Sequence, residues 1–372
     1  MKHPSRHVFE ETPDTLAAWL KAERGLPRFR ADQILEWVYK RGVTDPQAMT
    51  NLSKRDREWL AGNLVFGSSD QVSDQTATDG TRKLLVRWRD YGERGALRDH
   101  PLPVVDTPAP ERETECVMIP TDDRKTACIS SQVGCPVGCR FCASGLGGLD
   151  GNLSAGRIVE QVWLLNRELQ ARDRRITNVV FMGMGEPLAN YAAVVKSIRT
   201  LMSPWSLHIS ARKITVSTVG LPQAIRRFAD EELPVTLALS LHAPNDTVRR
   251  ELIPWAEYAT VRELLDACRE YFDRTGREVT LEYTLMKGVN DRPEHAEELA
   301  RIARTIRANV NLIRYNEVAG LPYRRPADDD VRAFQRTLRE KRINTHIRAS
   351  RGRDIAAACG QLRHERSVQS AP

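Results

Sequence analysis

The sequence predicts an α/β fold: an open, partial barrel of six strand–helix units, preceded by a small helical unit and a short β extension. Two observations carry this. From residue 154 onward, short apolar runs rich in β-branched residues alternate with amphipathic stretches of helical period, the order that builds a parallel sheet with helices outside. Polar residues recur where those runs end, which is where sheets of this kind carry their sites. Six units are too few to close an eight-stranded ring, so the barrel is expected to stay open.

With 372 residues the chain is too long for one average domain and suits two. The expected division is a helical accessory unit with an RNA-binding role at 1–75, a β-hairpin linker at 76–120, the barrel with a C-terminal cysteine loop at 121–362, and a tail at 363–372. In the first unit, helices are expected at 12–24 and 30–41, the second with an apolar stripe of Ile34, Leu35, Trp37 and Val38. A third helix is expected after Ser53, a plausible cap. Arg28, Arg30, Lys40, Arg41, Lys54 and Arg55 are spread through this unit and suit either an RNA stem or solvated helix faces. Strands follow at 81–88 and 113–120, separated by a polar, proline-containing run at 90–112 to which no role is assigned. The barrel strands are expected at 176–182, 213–218, 235–241, 278–286, 310–315 and 343–349. Helices are expected at 156–170, 191–202, from Pro222, at 246–253, 261–275, 293–306 and 328–342.

Composition narrows the class. Lys and Arg number 56 against 49 Asp and Glu, a net charge of +7, which suits a polyanionic partner or an arginine-rich solvated surface. There is no run of about 18 apolar residues, so no membrane helix is expected. The start MKHPSRHVFEETPD has no apolar run and is not read as a secretory signal, so the chain is expected in the cytoplasm. Seven cysteines then point to metal or redox chemistry rather than a disulfide framework.

The chemistry centres on Cys135-Pro-Val-Gly-Cys139-Arg-Phe-Cys142, followed by a glycine-rich loop to Gly151. Three cysteines this close can converge on one metal centre. A zinc site would want a fourth Cys or His nearby, and none is evident after the loop. A cubane iron–sulfur cluster held by three thiolates leaves one iron open. With Phe141 before the last cysteine, the motif resembles that of the radical S-adenosylmethionine (radical SAM) enzymes. A zinc knuckle is the bland alternative.

Polar motifs stand at successive strand ends: Gly183-Met-Gly-Glu-Pro187, Ser217-Thr-Val-Gly220, Ser240-Leu-His242 and Asn316. Each alone is an ordinary strand-terminal polar residue, but four in order suggest one shared ligand site. Glu186 can accept hydrogen bonds from an ammonium group. Cys128 and Cys359 read individually as small buried hydrophobes, as do Cys116 and Cys268.

A longer resemblance covers about 25–362. The run from Asp122 to Cys135, then MGMGEPLAN, SLHAPND and DIAAACGQL, is similar to the RlmN/Cfr family of radical SAM RNA adenine methyltransferases. By position, the resemblance implies that Cys135, Cys139 and Cys142 hold one [4Fe–4S] cluster per subunit. It implies that Gly185, Glu186, Ser217, Ser240, Leu241, His242 and Asn316 line the S-adenosylmethionine site. Cys359 becomes the methyl-carrying cysteine, Cys128 its resolving partner in a transient disulfide, and Glu115 the proton acceptor. Glu113 lies on the same strand face as Glu115, and the distance of Glu115 from the shared Ile-Pro favours the latter.

The implied activity is methylation at C2 of an adenosine in the peptidyl-transferase loop of 23S rRNA and of the adenosine 3′ of the tRNA anticodon. Two S-adenosylmethionine molecules are used, through a methyl-cysteine, with an electron donor such as flavodoxin. The alternative is a Cfr-type enzyme acting at C8 of the same rRNA adenosine and conferring antibiotic resistance. Arg314 leans toward that alternative and Pro187 toward the C2 enzyme.

Overall fold

The computed structural model describes residues 1–91 and 112–362. The chain opens with three helices, α1 (Pro13–Arg24), α2 (Phe29–Tyr39) and α3 (Lys54–Asn63). The start of α1 is set locally. Pro13 occupies its first turn, and Thr12 and Thr15 exchange hydrogen bonds between hydroxyl and backbone at 3.2 and 2.9 Å. The apolar stripe expected in α2 is real on its inner side: Ile34, Leu35 and Val38 are buried.

Next come β1 (Ser69–Thr76), β2 (Arg82–Trp88), β3 (Glu113–Pro120) and β4 (Lys125–Cys128), then a small β5 (Gln132–Gly134) and β6 (Leu149–Asn152) pair. After α4 (Ala155–Gln170) the expected alternation holds. Its elements are β7 (Asn178–Phe181), α5 (Tyr191–Met202), β8 (Ile214–Thr218), α6 (Pro222–Ala229) and β9 (Thr236–Ser240). They continue with α7 (Asp246–Leu252), α8 (Val261–Thr275), β10 (Val279–Leu285), α9 (Pro293–Ala303), β11 (Ala308–Arg314), α10 (Asp328–Glu340) and β12 (Thr345–Arg348).

Among the described residues one ten-stranded sheet runs β1-β2-β3-β4-β7-β8-β9-β10-β11-β12. From β4 to β12 every neighbouring pair is parallel, whereas β1 to β4 are antiparallel. Helices pack on its outer side, as the open barrel requires. β10 is buried along its whole length, which fits a central parallel strand covered on both faces.

Two elements were not evident in the sequence. β4 is the first parallel strand and has only four residues, Lys125–Cys128, too few for a periodic signal. β1 begins at Ser69, inside the stretch expected to be helical. Its residues SDQVSDQT are polar and mostly exposed, as an edge strand tolerates, so apolar patterning could not reveal it. Most of the polar run at 90–112 and the tail at 363–372 lie outside the described residues.

The helical unit shares its core with the barrel. Trp163 of α4 donates its indole N–H to the Val38 carbonyl at 2.7 Å and packs against Phe9 with ring centroids 5.6 Å apart. His7 and Glu160 meet at 3.3 Å, both buried, while Glu160 also accepts from the Ser68 and Ser69 hydroxyls. A buried carboxylate is tolerated only when satisfied in this way.

Candidate active site

The C-terminal ends of the parallel strands open on one cavity, with about 960 Å³ of free space that includes its mouth open to solvent. Its wall includes Cys135, Cys139 and Cys142 at one side and Cys359 at another, with Gly185, Glu186, Ser217, Ser240 and His242 between. Nine of the expected site residues therefore meet in one space.

The cysteine loop follows β5 and is half-buried. It packs against Val137, Phe141, Leu252, Ile253 and Tyr315. Burial pushes the Cys135 thiol up to about 12 and raises those of Cys139 and Cys142. Thiols in such a setting ionise only with a compensating cation. The buried Arg249 sits beside Cys139, its own pKa lowered to about 10 by burial. Among the described residues no three His, Cys, Asp or Glu side chains close on a single ion. A cubane cluster asks for a wider arrangement, with one thiolate on each of three irons, and three soft thiolates fit it.

The Gly-Glu strand end is tightly determined. Gly185 has φ +103°, and a Cβ there would lie 2.7 Å from both the Gln132 Cβ and the Ser131 hydroxyl. Only glycine lets the turn pass. Glu186 is buried, and burial raises its carboxyl to about 7. It accepts from the Val219 N–H at 2.7 Å and the Leu188 N–H at 3.0 Å. The Ser217 and Ser240 hydroxyls are 3.1 Å apart. His242 has φ +56°, accepts from the Thr284 N–H through Nδ1 at 3.1 Å and stacks edge-on with Phe141 at 5.1 Å. Burial lowers its pKa to about 3, so the imidazole is neutral.

Four expected residues stand outside the cavity wall. The Leu241 side chain is in the core, and its N–H donates to the Glu282 carbonyl at 3.1 Å. Asn316 donates to the Cys359 carbonyl at 3.1 Å, tying β11 to the cysteine loop rather than facing the space itself. Cys128 lies behind the wall with Val117, Met184, Ala357 and Leu362, its thiol pushed up to about 12 by burial. Glu115 is buried and pairs with Lys83 at 2.7 Å. Val117 opposes Cys128 across β3 and β4, so Glu115, two residues along, shares that sheet face. Glu113 takes Arg87 at 2.9 Å instead.

Cys359 is exposed on a loop held from two sides. The cysteine motif stitches it through Ala143 N–H to the Gly360 carbonyl at 2.8 Å and the Ser144 hydroxyl to the Leu362 carbonyl at 2.7 Å. The β1–β2 turn holds the other side. Thr78 N–H donates to Asp354 at 2.9 Å, and Gly352 N–H donates to Asp79 at 3.1 Å.

Sequence reading passed over Glu282, Thr284, Tyr315 and Arg348, which also line the cavity. A signal for Glu282 existed: a carboxylate inside the apolar run VTLEYTL has no solvated explanation.

An open parallel barrel, a three-cysteine loop after its first strand and a Gly-Glu end on the second define a radical SAM protein. Residues 129–303 match the Radical SAM superfamily. Residues 8–65 match the ribosomal RNA large subunit methyltransferase N-terminal domain. A protein of Symbiobacterium thermophilum named "Probable dual-specificity RNA methyltransferase RlmN" is 45% identical over 347 residues, 93% of this chain and 88% of that protein. Its namesake in Gloeobacter violaceus is 43% identical over 353 residues, 95% and 94% of the two chains. The crystal structure of a radical SAM methyltransferase from Sphaerobacter thermophilus superposes with a TM-score of 0.88 at 42% identity, covering 96% of this chain and 99% of that one. The chain belongs to the RlmN family of radical SAM RNA methyltransferases. Its cofactors are accordingly a [4Fe–4S] cluster and S-adenosylmethionine. Among the described residues no helix is long and apolar enough to cross a membrane.

Proposed function

We propose that this chain methylates C2 of adenosine in RNA. Its targets would be an adenosine in the peptidyl-transferase loop of 23S rRNA and the adenosine 3′ of the tRNA anticodon. One observation supports this above the rest: Cys359 opens on the same cavity as the three-cysteine loop and Glu186.

Cys135, Cys139 and Cys142 would hold the cluster, which when bound supplies the electron that splits S-adenosylmethionine into a carbon radical. Gly185, Glu186, Ser217, Ser240 and His242, with Leu241 and Asn316 behind them, would seat that cofactor. Glu186 would accept from its ammonium group. A second S-adenosylmethionine would first give its methyl to the Cys359 sulfur by displacement.

The target carbon lies between two ring nitrogens and is electron-poor, so a cationic methyl donor and this carbon repel a direct polar transfer. Carrying the carbon on Cys359 avoids that. One hydrogen atom of the Cys359 S-methyl group would pass to the 5′-carbon radical, and the remaining methylene would bond to C2. Glu115, ion-paired with Lys83, would take the C2 proton as the adduct gives back the one electron supplied. Cys128 would then attack the Cys359 sulfur and break its S–C bond. The electron pair goes to the RNA-bound carbon, which takes a proton to become the methyl group, and a Cys128–Cys359 disulfide is left. That disulfide must be reduced for the next turnover, which fits a reducing cytoplasm and an electron donor such as flavodoxin. Unpaired loop adenosines can be turned out of their stack at modest cost, so single-stranded loops are the natural substrates. The helical unit at 1–75, with its basic residues, would hold the surrounding RNA.

The test is methylation of defined rRNA and tRNA fragments by protein reconstituted with iron and sulfide, followed by nucleoside mass spectrometry. 2-Methyladenosine is expected in both. 8-Methyladenosine alone would assign the Cfr-type activity instead.

A further inference from the structure

Glu282 and Arg348 face the cavity from β10 and β12, with β11 between them. Glu282 is only 4% exposed. Its Oε1 accepts from Asn311 Nδ2 at 3.0 Å, whereas its Oε2 has no hydrogen-bond partner. Arg348 Nη1 stands 3.9 Å from that Oε2, too far for a hydrogen bond, and contacts the Met182 sulfur at 3.4 Å. A buried carboxylate oxygen without a donor is costly to maintain. A carboxylate and a guanidinium held just short of bonding leave an acceptor beside a donor, both turned to a cavity open to ligand.

Arg348 also places this pair. Its charge acts on Glu282, Cys359 and Cys128 together. It therefore stands near both the methyl-carrying and the resolving cysteine. The Watson–Crick edge of adenine presents, in order, an amine donor, the N1 acceptor and C2–H. Guanine presents an O6 acceptor and an N1–H donor, the reverse pattern. We propose that Glu282 and Arg348 are the subsite that reads the target adenine, Glu282 accepting from its amine and Arg348 donating to N1, so that C2 faces Cys359. This rests on the reading of the chain as an adenine-C2 methyltransferase.

The test uses the cluster-loaded protein and RNA fragments in which the target adenosine is replaced by purine riboside, which keeps N1 and C2–H but lacks the amine. Wild-type protein should methylate the purine fragment with kcat/KM lower by roughly tenfold or more, the size of one hydrogen bond to a charged group. In Glu282→Gln the amide oxygen stays with Asn311 and the NH2 turns to the cavity. That isostere should lose the preference for adenosine, while the dissociation constant of S-adenosylmethionine stays at the wild-type value. Comparing the adenosine-to-purine ratio between proteins cancels the intrinsic reactivity of the two bases.

Equal rates on both fragments with wild-type protein, or an unchanged ratio in Glu282→Gln, overturns the proposal. Weaker S-adenosylmethionine binding with an unchanged ratio also overturns it and assigns Glu282 to the cofactor, a neighbour it has through Ser240 in the strand register. Wild-type protein that releases 5′-deoxyadenosine yet puts no methyl on adenosine C2 sinks the underlying reading instead.

Discussion

Gly352→Ala should separate the cluster from the methyl-carrying cysteine. Gly352 has φ +65°, and a Cβ there would lie 2.8 Å from the Thr81 methyl and 2.9 Å from the Ala357 Cβ. Holding a non-glycine residue in the left-handed region costs about 1–2 kcal/mol. Forcing a methyl into a packed contact costs typically ~1–3 kcal/mol more. Together these give roughly 2–5 kcal/mol against the docked loop, or on the order of 30- to 5000-fold less of it. The loop carries Cys359 but none of the three clustered cysteines, and its buried Ala357 and Leu362 pack in a small cluster separate from the main core. Cluster absorbance should therefore match wild type, as should the melting profile to within a few degrees. The rate of Cys359 methylation, read by peptide mass spectrometry in a single turnover, should fall by at least tenfold. Thr81→Ser removes the methyl that the new Cβ meets, so adding it should recover part of the loss but not the backbone cost. Methylation of Cys359 at the wild-type rate in Gly352→Ala would falsify the view that the β1–β2 turn positions this loop.

Three further outcomes are expected. Cys128→Ala should accumulate a covalent RNA–protein adduct, visible as a shifted band on denaturing gels; normal turnover would remove Cys128 from the resolving role. Gly185→Ala should abolish S-adenosylmethionine binding by calorimetry while the iron content stays intact, because the new Cβ meets Gln132 and Ser131 at 2.7 Å rather than the cysteines. Trp163→Phe removes the 2.7 Å bond to the Val38 carbonyl and should destabilise the protein by about 1–2 kcal/mol in urea unfolding, with no change in the Cys359 methylation rate.

Much of the barrel was legible because its strands are apolar runs between capped helices, and each such strand forms near its expected bounds. The signal failed where local pattern and tertiary role part. β1 is a polar edge strand that exists because β2 pairs with it, and β4 has only four residues before the chain turns into β5. At the site, motif residues were legible because a turn such as Gly185 admits one residue type. Glu282 and Arg348 carry no local motif. They become a pair only when β10 and β12 curve around one cavity with a strand between them.

Arg314 carries the opposite case, a motif position whose side chain leaves the cavity. In the sequence it leans toward the C8 alternative, because it stands where the resemblance puts proline in the C2 enzymes. Ile313 and Tyr315 line the cavity, so Arg314 between them points to the other face of the sheet. There it pairs with Asp328 of α10 at 2.8 Å, in the outer helix layer. On that face the side chain does not line the cavity. Pro187, by contrast, does line the cavity, beside Glu186. Substituting Arg314 by Pro should therefore leave the ratio of 2-methyladenosine to 8-methyladenosine unchanged and lower stability through the lost Asp328 pair. A change in that ratio would show that regiochemistry is set from outside the cavity wall.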